Sequence, residues 1–353
     1  MSQHGDVLAP PRPTRADFEL LVQAHRSELH AHCYRMLGSL YDADDALQDT
    51  LLRAWRALPA FEGRCSVRTW LYRIATNVCL DALSRRRRRV LPTGYGPPTD
   101  PEDGESAERL PAAAWVEPYP HEALVLADGA AGPDARYEQR EALELAFVAA
   151  LQHLSPRQRS VLVMRDVLGF SAKETAAALD VTVASVNNVL LRARKAVEER
   201  LPARSQQATV QAVGDAQLRE RVGRLVGAFE NGDVDAVLRL LAEDATFEMP
   251  PYVSWTRGRA AVARSWLMPT GAPWRLRYVP TRANGQPALG AYVLDREGSF
   301  RPVALDVLTF DGDLVSAVTA FRTPAIFPRF GLPDRLPASE HSEVMNFGAV
   351  VGQ

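Results

Sequence analysis

Asp42-Ala-Asp-Asp-Ala-Leu-Gln-Asp-Thr-Leu-Leu-Arg-Ala-Trp-Arg56, followed by Thr69-Trp-Leu-Tyr-Arg-Ile-Ala-Thr-Asn77, are the two runs that decide the fold. In the first, Asp42 reads as an N-cap with Asp45 closing the first turn, and Leu47, Leu51, Ala54 and Leu58 recur at helical spacing along one buried face. Other faces carry Asp45, Asp49, Arg53 and Arg56, a charged surface that could equally be plain solvated helix. The loop Phe61-Glu-Gly-Arg-Cys65 leads into a second helix whose Val67, Leu71, Ile74 and Val78 face inward. This leaves Trp70, Arg73 and Asn77 on another face. An aromatic ring beside a cation and an amide suits single-stranded DNA: the ring stacks a base, arginine holds phosphate and Asn bonds a base edge. The competing reading is a half-buried Trp flanked by a snorkelling arginine. Five consecutive arginines, Arg85 to Arg89, end the same segment and favour phosphate binding.

Outward from this block, Arg15 to Leu83 reads as successive helices, and Leu91 to about Asp134 as an acidic, Pro- and Gly-rich, extended linker. A second helical block runs from about Tyr137 to Leu201. There Ser155-Pro156 opens one helix, Gly169 ends it, and Ser171-Ala-Lys-Glu174 is a capping box for the next. After a turn at Asp180-Val181, Thr182 caps a helix whose Val183, Val186, Leu190, Ala193 and Val197 form an inner stripe. Ser185, Asn188, Arg192 and Lys195 lie along an outer stripe, with Asn187 and Arg194 as further DNA candidates. A short helix, a tight turn and a polar-faced helix make a helix-turn-helix.

The length of 353 residues fits two or three domains, and 46% hydrophobic with 24% charged residues excludes overall disorder. A net charge of -2 would argue against nucleic acid were it evenly spread. It is not: Glu62 to Arg89 holds eight arginines against two acids, and Asp100 to Asp134 nine acids against one arginine. Three unpaired-looking cysteines, Cys33, Cys65 and Cys79, suit a reducing cytoplasm, and no apolar run is long enough to span a bilayer. His30-Ala-His-Cys33 lacks the tighter four-ligand set of a structural zinc site, so neither metal nor cofactor is expected.

The C-terminal third changes character. Leu218, Val222, Leu225 and Phe229 make one amphipathic helix, Asn231-Gly-Asp233 a turn and cap, and Val234 to Leu241 a second helix. Strand-like segments begin near Thr246, interrupted by a helix near Ala260 to Leu267, and Asn284-Gly285, Glu297-Gly298 and Asp311-Gly312 mark hairpins. Helices before a curved antiparallel meander give an alpha-plus-beta cone. Tyr252, Trp255, Trp266, Trp274 and Tyr278 are candidates to line its pocket, although such aromatics are more often core. Asp244, Asp295 and Asp306 have no evident acid-base partner, so no catalytic residue is assigned.

The quoted runs resemble conserved region two of bacterial extracytoplasmic-function sigma factors. Leu154-Ser-Pro-Arg-Gln-Arg159, Thr175 to Leu179 and Leu191-Arg-Ala-Arg-Lys195 resemble region four of the same family. Phe229-Glu-Asn-Gly-Asp233 and Phe247-Glu-Met-Pro-Pro251 resemble the SnoaL-like branch of the fold shared with nuclear transport factor two. The resemblance implies a multidomain protein: two all-alpha domains at residues 15–90 and 137–203, a flexible linker at 91–136, an NTF2-like cone at 213–336 and a tail at 337–353. It implies that Asp45, Asp49, Arg53 and Arg56 bind the clamp helices of the polymerase largest subunit, with the flap as a further polymerase contact. It also implies that Phe61, Arg64, Trp70, Arg73, Asn77, Arg85 and Arg86 melt and read the minus-ten element, and that the helix-turn-helix reads the minus-thirty-five element. This chain departs from the family at Asp180, where Gly is usual, and at Asn187-Asn188, where Lys-Ser is common. The cone is expected to hold a small-molecule ligand or make a regulatory contact within the chain. The expected partners are core RNA polymerase and promoter DNA, without a membrane. A SnoaL-like isomerase or cyclase, or a ligand-sensing DNA-binding regulator, are the alternatives; the first needs a catalytic constellation and the second leaves Asp42 to Asn77 without a role.

Overall fold

Ser39, not Asp42, caps the acidic helix, its side chain accepting a hydrogen bond from the Asp42 N–H. Glu117 of the linker adds a second acceptor at this helix end, bonding the Leu40 N–H and Ser39 hydroxyl, both at 2.8 Å. Asp42 is drawn elsewhere, to Arg86 and Arg89. Burial works to raise its pKa, yet the hydrogen bonds from those two arginines carry it below the usual carboxylate range.

The computed structural model describes residues 15–86, 88–100, 108–120, 142–202, 204–267 and 275–337. The first block is α1 (Arg15–Leu37), α2 (Leu40–Ala57) and α3 (Val67–Leu83). The second is α4 (Leu145–Gln152), α5 (Pro156–Leu162) with a wider-wound continuation over Val163–Val167, α6 (Ala172–Leu179) and α7 (Val183–Glu198). The C-terminal unit opens with α8 (Gln206–Val213), α9 (Asp215–Glu230) and α10 (Val234–Leu240). Its strands are β1 (Leu241–Glu248), β2 (Trp255–Arg257), β3 (Leu276–Ala283), β4 (Gln286–Leu294), β5 (Ser299–Asp311), β6 (Leu314–Phe321) and β7 (Leu336–Pro337), with α11 (Arg259–Leu267) between β2 and β3. The sheet runs β2-β1-β6-β5-β4-β3, with β7 on β5; only β1 and β6 pair in parallel.

Both faces of this sheet are covered. Leu289, Ala291, Leu308 and Val318 pack under Leu218, Leu225 and Phe229 of α9, whereas Ala288, Tyr292, Leu305, Val307 and Phe321 join the core of the two helical blocks. Alternation along the strands sends one set of side chains to each side. The described linker residues around Trp115 to Tyr119 pack into that second core, a placement their surroundings in sequence do not announce: Trp115, Val116 and Tyr119 are at most 3% exposed. Arg89, the last of the five arginines, is buried too, donating to the Trp115 and Ala112 carbonyls at 2.7 and 3.1 Å. It pins the linker rather than presenting charge to a phosphate.

His32 shows how tightly the first block is closed. Thr76 spends its hydroxyl proton on the Tyr72 carbonyl at 2.7 Å, so the 3.0 Å contact to His32 requires His32 to donate from Nε2. Burial pushes the His32 pKa from 6.5 down to about 3. Below 6.5 the unfolded chain takes up a proton that the folded chain refuses, so stability falls as pH falls from 6.5 towards 3. At pH 5.5 this one residue is expected to cost about 1.4 kcal/mol relative to pH 8. Denaturant unfolding at both values checks it, with His32→Gln losing that share of the slope; an identical pH profile in the variant would refute the assignment.

Candidate nucleic-acid interface

Ser66 caps α3, accepting from the Thr69 N–H at 3.1 Å, and so fixes where the loop carrying Phe61 and Arg64 meets the helix. The Phe61 and Trp70 rings lie 4.9 Å apart, half-buried, with Arg73 and Asn77 exposed at the next positions of the same face. Arg64 is 85% exposed and 2.5 Å from Glu62. Phe61, Trp70, Arg73 and Asn77 therefore form one strip with Arg64 in the loop at its entrance. Arg85 is exposed at the far end of α3, whereas Arg86 is ion-paired with Asp42 and turned towards α2. Of the described arginines of this run, Arg85 and Arg88 are exposed, whereas Arg86 and Arg89 are tied to the fold through Asp42.

On α2, Asp45, Asp49, Arg53 and Arg56 are all exposed, and Arg53 reaches Asp81 of α3 at 2.9 Å. Sequence reasoning missed the apolar half of this surface. Leu52 and Trp55 are 48% and 43% exposed and border a groove of about 670 Å³ between α1 and α2. The signal was present in the sequence, since both fall outside the inner stripe of α2.

In the second block, Ser171 and Glu174 form the reciprocal capping box. Asp180 takes the left-handed conformation at φ 52°, the place where Gly costs least and Asp less than most other side chains. Asn187, Asn188, Arg192 and Lys195 are exposed on α7, and Ser185 is partly covered, 3.4 Å from Arg157. Arg194 is placed differently: it makes a bidentate pair with Asp166 at 2.7 and 2.8 Å, on the opposite side of α7 from Ser185, Asn188 and Arg192. Its guanidinium ties α7 to the Val163–Val167 continuation of α5.

The aromatic pocket read into the cone is also revised. Trp255 donates from its indole to the Gly96 carbonyl at 2.8 Å and accepts the Thr99 N–H at 2.8 Å, while Tyr252 stacks under Arg109, 4.5 Å from its ring centre. Both therefore grip the linker. Buried Glu248 joins them, accepting from the Thr93 N–H at 3.1 Å and the Thr319 hydroxyl at 2.8 Å. Tyr278 packs on Phe229, 5.2 Å away, inside the C-terminal core. Trp274 and the side chain of Trp266 lie outside the described residues. Asp244 is exposed and 3.7 Å from Arg257, Asp295 ties the β4–β5 turn, and Asp306 is buried within β5, so these three carboxylates do not converge. Among the described residues no cluster of three metal-capable side chains occurs, and no helix is long and apolar enough to cross a membrane.

A strip of half-buried aromatics with exposed Arg73 and Asn77 on one helical block, a helix-turn-helix on the next, and a cone docked on their linker give the layout of a two-part nucleic-acid-binding protein with an appended NTF2-like domain. Residues 21–89 match the Sigma-70 region 2 model, 144–197 the Sigma-70 region 4 model and 222–321 the SnoaL-like domain model. The chain is 44% identical over 330 residues to the extracytoplasmic-function RNA polymerase sigma factor SigG of Mycobacterium tuberculosis, covering 93% of this chain and 87% of that one. It is 31% identical over 249 residues to SigJ of the same species, covering 69% and 70%. The crystal structure of SigJ superposes with a TM-score of 0.57 over 90% of this chain and 99% of that chain at 24% identity, a likeness of fold. The chain belongs to the extracytoplasmic-function sigma factors, and carries a SnoaL-like C-terminal domain.

Proposed function

We propose that the α2 face of Asp45, Asp49, Arg53 and Arg56, together with its apolar groove, seats the clamp helices of core polymerase, and that the second block meets the flap. Phe61, Arg64, Trp70, Arg73, Asn77 and Arg85 capture the minus-ten element, and Ser185, Asn187, Asn188, Arg192 and Lys195 read the minus-thirty-five element. Arg86 and Arg194 join only if they leave Asp42 and Asp166. The observation that carries this reading is the strip formed by Phe61, Trp70, Arg73 and Asn77, which combines stacking, phosphate and base-edge chemistry on one helix.

The SnoaL-like domain regulates this activity by holding the chain closed. Support comes from distance. α3 packs on α6, and α6 on α7, so the recognition helix lies roughly 20 Å from α3 at ordinary helix spacings. Elements centred ten and thirty-five base pairs upstream are about 85 Å apart at 3.4 Å per base pair. The closed chain leaves both reading faces exposed at a separation no promoter offers, so initiation requires opening. Contact of the cone with the linker, rather than a ligand in a pocket, is the regulatory reading favoured by Trp255, Tyr252 and Glu248.

The test is transcription from a candidate promoter by purified core polymerase with and without this chain. Promoter-specific initiation is expected, and Arg192→Ala is expected to weaken it by roughly tenfold or more, from a bidentate base contact of about 1–3 kcal/mol. Core polymerase that gains no promoter specificity would refute the reading.

A further inference from the structure

Asp44 faces two ways. Its side chain lines the groove between α1 and α2, beside Leu47, Leu52 and Trp55. Its carboxylate also meets two groups that lead to the C-terminal domain. One oxygen is ion-paired with Arg329, in the turn Pro324–Phe330 after β6. The other accepts from Nε2 of His30 at 3.1 Å. With that proton on Nε2, the opposite nitrogen of His30 accepts from the Tyr119 hydroxyl at 2.7 Å. Burial lowers the His30 pKa, which keeps the neutral ring this arrangement needs.

Tyr119 belongs to the linker, and its main chain is held by Asn284 in the tight turn between β3 and β4. The Tyr119 N–H donates to Asn284 Oδ1, and the Asn284 N–H donates to the Tyr119 carbonyl, each at 2.8 Å. Asn284 Nδ2 then donates to the Tyr34 hydroxyl of α1 at 2.9 Å and to the Leu143 carbonyl, next to α4, at 2.8 Å. Asn284 is fully buried at φ 53°, a conformation that Asn tolerates better than most residues. One residue of the C-terminal domain thus bonds the first block, the linker and the second block together. Its side-chain hydrogen-bonding groups are all occupied by partners outside its own domain.

We propose that the relay Asp44–His30–Tyr119–Asn284, with Arg329, couples the α1–α2 groove to the closed arrangement, so that polymerase docking in the groove itself begins the opening. A partner seated against Leu52 and Trp55 that engages Asp44 competes with Arg329 and His30. Loss of those contacts frees the Tyr119 ring and weakens the Asn284 anchor. This rests on the reading of the α2 surface as the polymerase seat. Coupling between two sites is reciprocal, so whatever opens the chain must also tighten its hold on core polymerase.

The experiment uses the full chain and core RNA polymerase. Labels on exposed Cys65 and on Glu199→Cys, with Cys33 and Cys79 buried, report the separation of the two helical blocks, and binding to core polymerase is titrated in parallel. Asn284→Gly keeps the turn conformation and removes the three side-chain bonds; it is expected to lengthen the separation without polymerase and to tighten core binding roughly fivefold or more. Arg329→Ala, at an exposed ion pair that does not endanger folding, is expected to act in the same direction by about two- to fivefold. Wild-type chain that binds core polymerase, but with an affinity and separation shared by both variants, would overturn the coupling and leave the polymerase seat intact. Wild-type chain that fails to bind core polymerase would overturn both.

Discussion

Trp70→Ala is expected to reduce open-complex formation at a duplex promoter by roughly ten- to a hundredfold while affinity for core polymerase stays within about twofold. The estimate follows from the stacking energy of a base on an aromatic ring, about 1–3 kcal/mol per base. Trp70 lies next to Phe61, 4.9 Å between centroids, at the end of α3 where the loop from Phe61 to Cys65 arrives. It is not free of the fold: it is partly buried and packs against the core of the helical blocks. Truncation therefore also removes some packing, and loss of activity alone would not separate the two effects. Trp70→Phe keeps a stacking face at smaller area and is expected to retain most of the activity. A promoter already unpaired across the minus-ten element is expected to restore Trp70→Ala more than any change of temperature does. Full activity of Trp70→Ala on duplex DNA would remove the melting role from this residue.

The parts of this molecule legible in its sequence are those fixed by neighbours along the chain. The Ser171–Glu174 capping box, the left-handed Asp180, the Asn284-Gly285 turn and most of the α3 and α7 stripes depend on contacts within a few residues; on α7 the exception is Val183, which is 43% exposed, while Val189 is buried beside Val186 and Leu190. What was not legible depends on partners far away. Asp42 reads as a cap because nothing nearby announces that Arg86 and Arg89 will claim it, or that Glu117 will stand at the helix end with Ser39. The five arginines read alike, yet Arg89 is buried by a linker segment more than twenty residues on, Trp115 among it. A signal for that burial existed. Trp115-Val-Glu-Pro-Tyr-Pro120 is apolar within an otherwise acidic stretch, and aromatic residues in a linker are costly to leave in water. Tyr252 and Trp255 read as candidate pocket residues, and in the structure they hold the linker segments at Gly96 and Arg109. Asn284 was read only as turn chemistry; its second role, bonding three other parts of the chain, has no local signature.

Arg159 provides the larger test of how the two helical blocks are held. It is 3% exposed, and its partners are oxygens of amides: the carbonyl of Met36, the side chain of Gln152 at 2.6 Å, and the carbonyls of Gln152 and Leu154 at 3.2 and 3.3 Å. Met36 lies in the last turn of α1, and Gln152 and Leu154 lie at and just beyond the end of α4. These are helix C-termini, where carbonyls lack intrahelical donors and the macrodipole favours a cation. One guanidinium therefore caps two helices from different blocks, which explains why a charge is buried without a carboxylate among those hydrogen-bond partners. Burial lowers its pKa to about 10, leaving it charged at neutral pH. Two effects compete on replacement by methionine. The cost of burying the cation is recovered, but carbonyls of both helices lose their donors at about 1–3 kcal/mol each. With several acceptors orphaned at once, the second effect wins, and Arg159→Met is expected to lower the free energy of unfolding by about 3 kcal/mol in denaturant titration. Arg159→Lys is expected to recover little of it, since a single ammonium cannot reach both helix ends as the planar fork does. Because Met36 is the partner across the interface, the same replacement is expected to increase the separation between Cys65 and Glu199→Cys before global unfolding. A loss below about 0.5 kcal/mol with unchanged separation would mean that the apolar core shared by the blocks, not this guanidinium, keeps them closed.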